Sequence, residues 1–151
     1  MIIPNRQHFS RGKGEENSLT PELIVMDINK SLNFYTKILD FKVIYDRPEK
    51  KFAMLEYQGS RLMINERNGW WETGKLEFPM GRGVNFQIKT DNIEKIRRLL
   101  NTHNYPVYQE IEEVWYRRGD KELGQKELLV QDPDGYLLRF AQDLGEKDWV
   151  H

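Results

Sequence analysis

The sequence predicts an α+β protein made of two βαβββ modules, and three observations lead to this prediction. Runs with a two-residue period and runs with a helical period follow one another in the order β-α-β-β-β. The same order then occurs a second time, with the cap-type residues Asp27 and Asn92 at matching places about 65 residues apart. The chain of 151 residues also has the usual length of one domain.

The predicted organisation is an arm followed by a single domain. Residues 1–18 are rich in polar and charged residues without periodicity, which is typical of a flexible arm. The domain covers residues 19–151, with module 1 at about 19–67 and module 2 at about 83–145. The Gly-rich stretch 68–82 between them is predicted to be a linker that also carries function.

The first module begins with a short apolar strand, and Asp27 is placed to end it and to cap the helix that follows. Apolar residues at helical spacing define one buried face of that helix, namely Ile28, Leu32, Tyr35 and Leu39. An alternating run then predicts a strand over 41–45. Two further strands are predicted at 52–57 and 61–66, joined by a tight turn at 58–60.

The second module repeats this plan. Residues 84–89 alternate between apolar and polar, and Asp91-Asn92 caps a helix whose apolar face is Ile93, Ile96, Leu99 and Leu100. Strands are predicted over 107–116, 127–131 and 136–141, in that order. The sequence Asp132-Pro133-Asp134-Gly135 predicts a turn before the last strand.

Charge and composition exclude several classes of function. Lys and Arg total 23 against 24 Asp and Glu, so the net charge of -1 offers no basic surface for nucleic acid or an anionic membrane. The absence of cysteine excludes disulfides, thiolate metal sites and a cysteine nucleophile. Because no apolar run has the length of a signal peptide or a membrane helix, we expect a cytoplasmic protein.

Two stretches resemble a known superfamily. PELIVMDINKSLNFYTKILDFKV is similar to the opening strand and helix of the vicinal oxygen chelate superfamily, and GQKELLVQDPDGYLLRFAQDLG is similar to its closing hairpin. This superfamily includes glyoxalases, extradiol dioxygenases and bleomycin-resistance proteins, and the ending LLRFAQ resembles the last of these branches. The resemblance covers about residues 20–145. It implies two curled sheets around a cleft, subunits paired as homodimers and, for the bleomycin-resistance branch, noncovalent drug binding in clefts at the dimer interface.

The resemblance also locates the metal site of the catalytic members, which hold a divalent ion with His and Glu side chains. The four ligand positions fall at or next to Thr20, near Met63, near Gly83 and at Arg139. None of these is a metal ligand, and a cation at Arg139 opposes a metal ion. We therefore predict neither metal nor cofactor.

Other arrangements of ligands remain open at this point. The histidines His8, His103 and His151 lie outside the predicted inner strands, and His103 is placed for an ordinary role at a helix C-terminus. A carboxylate-only site is the alternative, and its candidate members are Glu22, Glu56, Glu66 and Glu127.

Aromatic residues concentrate in segments predicted to be irregular, where they offer flat surfaces for a planar ligand or act as structural plugs. Arg139 is predicted to point inward and to pair with Glu56, Glu127 or an acidic ligand group. The candidate ligand-binding residues are Trp70, Trp71, Trp115, Tyr116, Arg139, Glu56, Met63, Asn65 and Phe86.

These residues predict a non-catalytic, bleomycin-resistance-like homodimer that binds and sequesters a planar small molecule or antibiotic. The nearly neutral charge departs from the acidic character of dedicated bleomycin binders, so another antibiotic or metabolite is an alternative ligand. The alternative function is a metal-dependent lyase, isomerase or dioxygenase with non-standard ligands. A structural or regulatory module is a third reading.

Overall fold

The computed structural model describes residues 17–151, so nearly all of the predicted arm, including His8, lies outside the described residues. The first module consists of β1 (Glu22–Val25), α1 (Ile28–Leu32) with a π-helical continuation (Asn33–Ile38), β2 (Lys42–Arg47), a 3₁₀ turn (Pro48–Lys50), β3 (Phe52–Tyr57) and β4 (Ser60–Glu66). The second module consists of β5 (Asn85–Lys89), α2 (Ile93–Thr102), β6 (Gln109–Arg118), β7 (Lys121–Gln131) and β8 (Leu137–Asp148).

The strands of the two modules form two four-stranded mixed sheets of the same topology. The strand order is β1-β4-β3-β2 in the first sheet and β5-β8-β7-β6 in the second. In each sheet the first and last strands of the module pair in parallel, and the remaining pairs are antiparallel. The predicted α+β class and the repeated βαβββ plan are confirmed.

Local sequence signals explain where the helices begin. The Asp27 side chain accepts hydrogen bonds from the backbone N–H groups of Asn29 and Lys30, and the Asn92 side chain accepts one from Lys95. These bonds satisfy donors that the first turn of a helix leaves without a partner. The predicted capping residues therefore have the predicted role.

The turn between β3 and β4 follows equally directly from the sequence. Gln58 and Gly59 both have positive φ angles, 44° and 89°. Two successive residues with positive φ form the hairpin turn whose twist matches that of antiparallel strands, and glycine adopts this conformation without steric cost. The tight turn predicted at this place is confirmed.

One hydrophobic core lies between the helices and one face of each sheet. Its largest fully buried side chains include Phe34, Tyr35, Phe41 and Phe140. The ring of Tyr57 in the first sheet packs edge-on against Phe140 in the second, with centroids 5.8 Å apart, so the core joins both modules. The opposite face of each sheet points away from the helices, and we call it the helix-free face.

The turn from Asp132 to Gly135 also joins the modules. One Asp132 carboxylate oxygen accepts the N–H groups of Asp134 and Tyr136, and the other accepts the Tyr35 hydroxyl at 2.7 Å. The Asp134 carboxylate accepts the N–H of Met26, which follows β1. Burial raises the pKa of Asp132 to about 6, against the effect of these hydrogen bonds.

The last two strands are longer than predicted. β7 begins at Lys121 rather than at 127, and β8 continues to Asp148 rather than ending at 141. The additional residues are mostly polar, so they lack the alternation that marks a half-buried strand. They nevertheless pair with one another, from Lys121 with Asp148 to Gly124 with Gly145. Trp115 and Tyr116 lie in β6, as the strand predicted over 107–116 requires, and not in an irregular segment, where the aromatic clusters were also placed.

Strand β2 departs from a regular two-residue period. The register with β3 shifts between Val43 and Tyr45, and Val43, Ile44 and Tyr45 are each about 40% exposed. β2 is therefore an edge strand with apolar side chains on its surface. Within residues 17–151, no helix is long and apolar enough to cross a membrane.

Candidate functional site

The helix-free face of the second sheet carries polar side chains from all four strands. Ile88, Leu128, Val130, Leu138 and Phe140 belong to the core. Because successive side chains in a strand point to opposite faces, their neighbours point away from the core. The polar residues placed on this face by the strand registers are Asn85, Gln87, Lys89, Tyr116, Gln125, Glu127 and Arg139.

Glu127 is the centre of this polar network. It is only 4% exposed, and its carboxylate accepts hydrogen bonds from Arg139 Nη1 at 2.6 Å, the Tyr116 hydroxyl at 2.7 Å and Gln125 Nε2 at 2.7 Å. Among the partners predicted for Arg139, Glu127 is thus the one that the guanidinium contacts. The structure brings two predicted site residues, Tyr116 and Arg139, together on this carboxylate.

Electrostatics keep this network in one protonation state at neutral pH. Burial raises the pKa of Glu127, but the hydrogen bonds from Tyr116, Arg139 and Gln125 outweigh it and bring the pKa below its ordinary value. The hydrogen bond to the Glu127 carboxylate raises the pKa of Tyr116. Glu127 and Arg139 therefore form a pair of carboxylate and guanidinium whose charges compensate each other.

The network extends to the edge strand β5. Arg139 Nε donates to Asn85 Oδ1 at 2.9 Å, and Gln125 Nε2 lies 3.2 Å from Gln87 Oε1. Lys89 Nζ donates to Gln125 Oε1 at 3.4 Å. Asn85, Gln87 and Lys89 are exposed, so their remaining donors and acceptors are available to a ligand above a fixed polar floor.

Sequence reasoning did not select Asn85, Gln87, Lys89 and Gln125 as site residues. The signal was present in the alternation of NFQIK, whose polar members share one face of β5. Their type alone does not separate a ligand-facing position from a solvated one. The partner strands make the distinction, because they place these residues next to the Glu127–Arg139 pair.

The four positions that the superfamily's enzymes use for metal do not fit a metal ion in this chain. Thr20 Oγ1 lies 3.5 Å from the Asn17 carbonyl oxygen, Met63 is a thioether on β4, and Gly83 has no side chain. Arg139 carries a positive charge that Glu127 compensates. A guanidinium has no lone pair to offer a cation, so this donor set disfavours a divalent ion.

The carboxylate-only arrangement is not assembled either. Glu56 pairs with Arg61 at 3.1 Å, Glu66 with Lys51 at 2.9 Å and Glu127 with Arg139. In the part of the chain that the structure describes, no three His, Cys, Asp or Glu residues come together as a group able to hold a metal ion. Three of the four carboxylates in that alternative are thus held in separate ion pairs.

The two described histidines lie in ordinary surface positions. His103 caps the C-terminus of α2, and its Nδ1 lies 2.9 Å from the Leu99 carbonyl oxygen. The ring of His151 packs edge-on against Trp149, with centroids 4.1 Å apart. Neither contacts the Glu127 network.

The helix-free face of the first sheet has a different character. Met63 pairs with Met54 across β3 and β4, and Arg47 places its guanidinium 4.5 Å from the centre of the Phe52 ring. Glu56 forms its ion pair with Arg61 on the same face. Predicted site residues Met63, Asn65 and Glu56 therefore share this face, on which apolar and aromatic side chains lie beside charged ones.

The tryptophan pair Trp70-Trp71 follows directly on this first sheet. Asn65 Nδ2 donates to the carbonyls of Lys50 and Lys51, and its Oδ1 accepts from Asn68. The Asn68 side chain in turn accepts the N–H of Trp70. Asn65 therefore has a structural role in holding the loop.

The indoles of this pair are largely free of protein contact. Trp70 and Trp71 are 69% and 78% exposed, with ring centroids 6.3 Å apart. The loop is closed by a two-point ion pair between Arg67 and Glu72. The result is an exposed double aromatic surface at the end of β4.

Two predicted site residues point elsewhere. Trp115 lies on the face of β6 opposite Tyr116, where its ring covers Gly124 and Lys147 Nζ lies 4.1 Å from the ring centre. Phe86 packs against the hydrophobic core. Both side chains stabilise the fold and do not meet Arg139.

Comparison with known proteins identifies the family of this chain. A profile of the glyoxalase/bleomycin resistance protein/dioxygenase superfamily matches residues 17–140. A superfamily member of known structure from Vibrio splendidus 12B01 is 37% identical, over 83% of this chain and 97% of that one, with a TM-score of 0.39. A search of curated proteins found no match.

More distant solved structures have the same fold. A virulence protein from Salmonella typhimurium is 17% identical, over 84% of this chain and 96% of that one, with a TM-score of 0.62. TioX from Micromonospora sp. ML1 is 13% identical, over 85% of this chain and 100% of that one, with a TM-score of 0.65. The profile match over most of the chain, together with the paired βαβββ sheets, means that this chain belongs to the glyoxalase/bleomycin resistance/dioxygenase superfamily, also known as the vicinal oxygen chelate superfamily.

Proposed function

We propose that this protein binds a planar small molecule noncovalently, without metal-dependent turnover, and sequesters it as bleomycin-resistance proteins do. One observation supports this proposal above the others. By the resemblance, Arg139 falls at a position where the superfamily's enzymes carry a metal ligand, and its guanidinium is paired with Glu127. The face that would hold a metal instead holds a compensated ion pair within a hydrogen-bonded network.

The network is suited to binding because its charged groups are already satisfied. Arg139, Tyr116 and Gln125 are held by Glu127 before any ligand arrives, so little side-chain entropy is lost on binding. Asn85 and Gln87 supply exposed amides beside this floor. We infer that a ligand with uncharged hydrogen-bonding groups fits this face best.

The tryptophan loop supports a planar ligand. Trp70 and Trp71 leave two large indoles exposed, which is unusual unless the surface binds something. Stacking of a planar ring on an indole contributes about 0.5–1.5 kcal/mol beyond the burial of area. We propose that these rings form one wall of the site.

We further propose that the functional unit is a homodimer in which the helix-free faces enclose the ligand. The apolar side chains of edge strand β2, Val43, Ile44 and Tyr45, are exposed in the single chain, in keeping with a partner surface. Bleomycin or another planar antibiotic is the proposed ligand class. Resistance then follows from mass action, because binder in excess of the dissociation constant keeps the free drug low.

The direct test is a fluorescence titration of the purified protein with metal-free bleomycin, followed by a panel of planar antibiotics. We expect saturable quenching of tryptophan emission, with one binding event per chain at micromolar concentrations or below, and no chemical change in the recovered ligand. Trp149→Phe is the matched control, because its indole is bound to Arg117 away from the proposed wall. Turnover of a ligand, or the absence of quenching across the panel, contradicts the proposal.

A further inference from the structure

A pocket lies on the helix side of the molecule, away from both helix-free faces. It has a volume of about 610 Å³, which is in the range of small-molecule sites. Its walls come from α1 and its continuation, the linker, the segment 105–108 before β6 and the turn that follows β7. Both modules therefore contribute to it.

Aromatic side chains dominate the lining of this pocket. Phe34 and Tyr105 form its inner part, with ring centroids 4.7 Å apart. Phe78 and Tyr108 form the rim, and they are 64% and 62% exposed. Four aromatic side chains from three different segments thus converge on one opening.

The charge near the floor of the pocket is negative. Asp132 lines it and is only 2% exposed, and the neighbouring Asp134 is buried as well. Within residues 17–151, neither carboxylate forms an ion pair with Lys or Arg. Lys30 is the one positively charged residue among the described lining residues, and it is exposed on α1.

We propose that this pocket binds an organic cation, an ammonium group carried on an apolar or aromatic body. Aromatic ring faces attract cations through their quadrupole, and the attraction increases when water is excluded. The buried Asp132 carboxylate adds a charge of the complementary sign, and no Lys or Arg among residues 17–151 forms an ion pair with it. The flexible stem of Lys30 lets its ammonium group move into solvent when a cation enters.

The experiment compares three probes of similar size on the whole protein: phenyltrimethylammonium, benzyl alcohol and benzoate. Amide chemical shifts recorded by NMR during each titration report both the affinity and the location. We expect phenyltrimethylammonium to shift the amides of residues 105–108 and 131–132 in a saturable manner. Benzyl alcohol should bind several-fold more weakly, and benzoate should bind most weakly.

Substitutions test the two parts of the proposal separately. Tyr108→Ala should weaken binding of the cation about three- to fivefold, which corresponds to the loss of an exposed cation–π contact. Lys30→Gln should strengthen binding of the cation and weaken binding of benzoate, because it removes the positive charge found among the described lining residues. Trp149→Ala, an aromatic truncation at a residue that packs on Arg117 and does not line the pocket, is the control and should leave the affinity unchanged.

Two results overturn the proposal. One is equal affinity for phenyltrimethylammonium and benzoate, which would leave an apolar pocket without charge preference. The other is that the probe, at millimolar concentration, shifts only the amides of residues outside the pocket. Neither result bears on the site of the second sheet, because the probes and variants do not involve Glu127 or Arg139.

Discussion

The two helix-free faces occupy equivalent places in the two modules, yet their chemistry differs. The face of the first sheet has Met54, Met63 and Phe52 at its centre, with the Arg61–Glu56 ion pair toward one end. The face of the second sheet is a polar network with a buried carboxylate, Glu127, at its centre. Both sheets have the same strand order and parallel first pair.

This difference shows that the repeated scaffold and the site are specified by different residues. The core-facing positions of the strands are apolar in both modules, as packing requires. The alternate positions are free of that requirement, so they carry the chemistry in which the modules differ. A function common to the superfamily therefore has to be tested at these positions and does not follow from the fold.

The largest expected effect comes from removing the cation of the second face. Arg139→Met leaves the Glu127 carboxylate buried without its partner, and we expect the free energy of unfolding to fall by about 3–5 kcal/mol. Urea denaturation at neutral pH measures it. The matched variant in the first sheet is Arg61→Met, whose partner Glu56 is more exposed, so the loss should be smaller. Equal losses in the two variants would contradict the contrast between the faces.

The pH dependence of stability separates the buried carboxylate of this face from the one at the module junction. The pKa of Asp132 is raised to about 6 in the folded chain, so the folded state binds extra protons between about pH 4 and 6. Its contribution to stability is present below about pH 4 and is lost as the pH rises through 6. As the pH rises over this range, we therefore expect the free energy of unfolding of the wild type to fall by about 2–3 kcal/mol relative to that of Asp132→Asn.

The free energy of unfolding of the wild type relative to that of Glu127→Gln should change with pH in the opposite direction. The pKa of Glu127 lies below its ordinary value, so its contribution to stability is present above that value and is lost as the pH falls through the folded pKa. Denaturation of wild type and both variants at several pH values gives the two differences. If both change in the same direction, the assignment of one carboxyl as paired and the other as unpaired is wrong.

A smaller effect is expected on the other side of β6, where Trp115 covers Gly124. A Cβ atom at Gly124 would lie 2.5 Å from the indole, so Gly124→Ala must displace the ring and should cost about 1–3 kcal/mol. Gly74→Ala is the control, since a Cβ there meets no atom within 4 Å. Thermal unfolding of both variants measures the difference. A neutral Gly124→Ala would mean that Trp115 is free to serve a ligand after all.

The smallest effect on stability is expected from the exposed tryptophans. Trp70→Ala and Trp71→Ala remove little buried area, so unfolding should change by no more than about 0.5 kcal/mol. Each loss of stacking should nevertheless weaken the binding of a planar ligand about two- to tenfold. Chemical denaturation and the fluorescence titration, run on the same samples, test this separation. Large destabilisation would identify the pair as structural plugs.

Much of the scaffold is predictable from the sequence because its signals are local. The caps Asp27 and Asn92 and the turn at Gln58-Gly59 depend on neighbouring residues alone. The extension of β7 and β8 was missed because it is polar on both faces, and strand pairing rather than burial defines it. Local periodicity cannot detect such a strand.

The site was predicted only in part, for a related reason. Arg139 and its partner Glu127 were identified as candidates, since a charge at an alternating position within an apolar strand is conspicuous. Trp115 and Phe86 were assigned to the site by residue type, and the strand registers turn both away from it. Which face a side chain occupies depends on pairing between distant strands, which one sequence does not display.

The most direct test of the central claim is a calorimetric titration of chelator-treated protein with Zn²⁺, Mn²⁺ and Ni²⁺. We expect no saturable site of one ion per chain with a dissociation constant below about 10 μM at the second sheet. Glu127→Gln serves to locate any binding that occurs. A stoichiometric site in the wild-type protein that Glu127→Gln abolishes would contradict the account and would favour a metal-dependent enzyme.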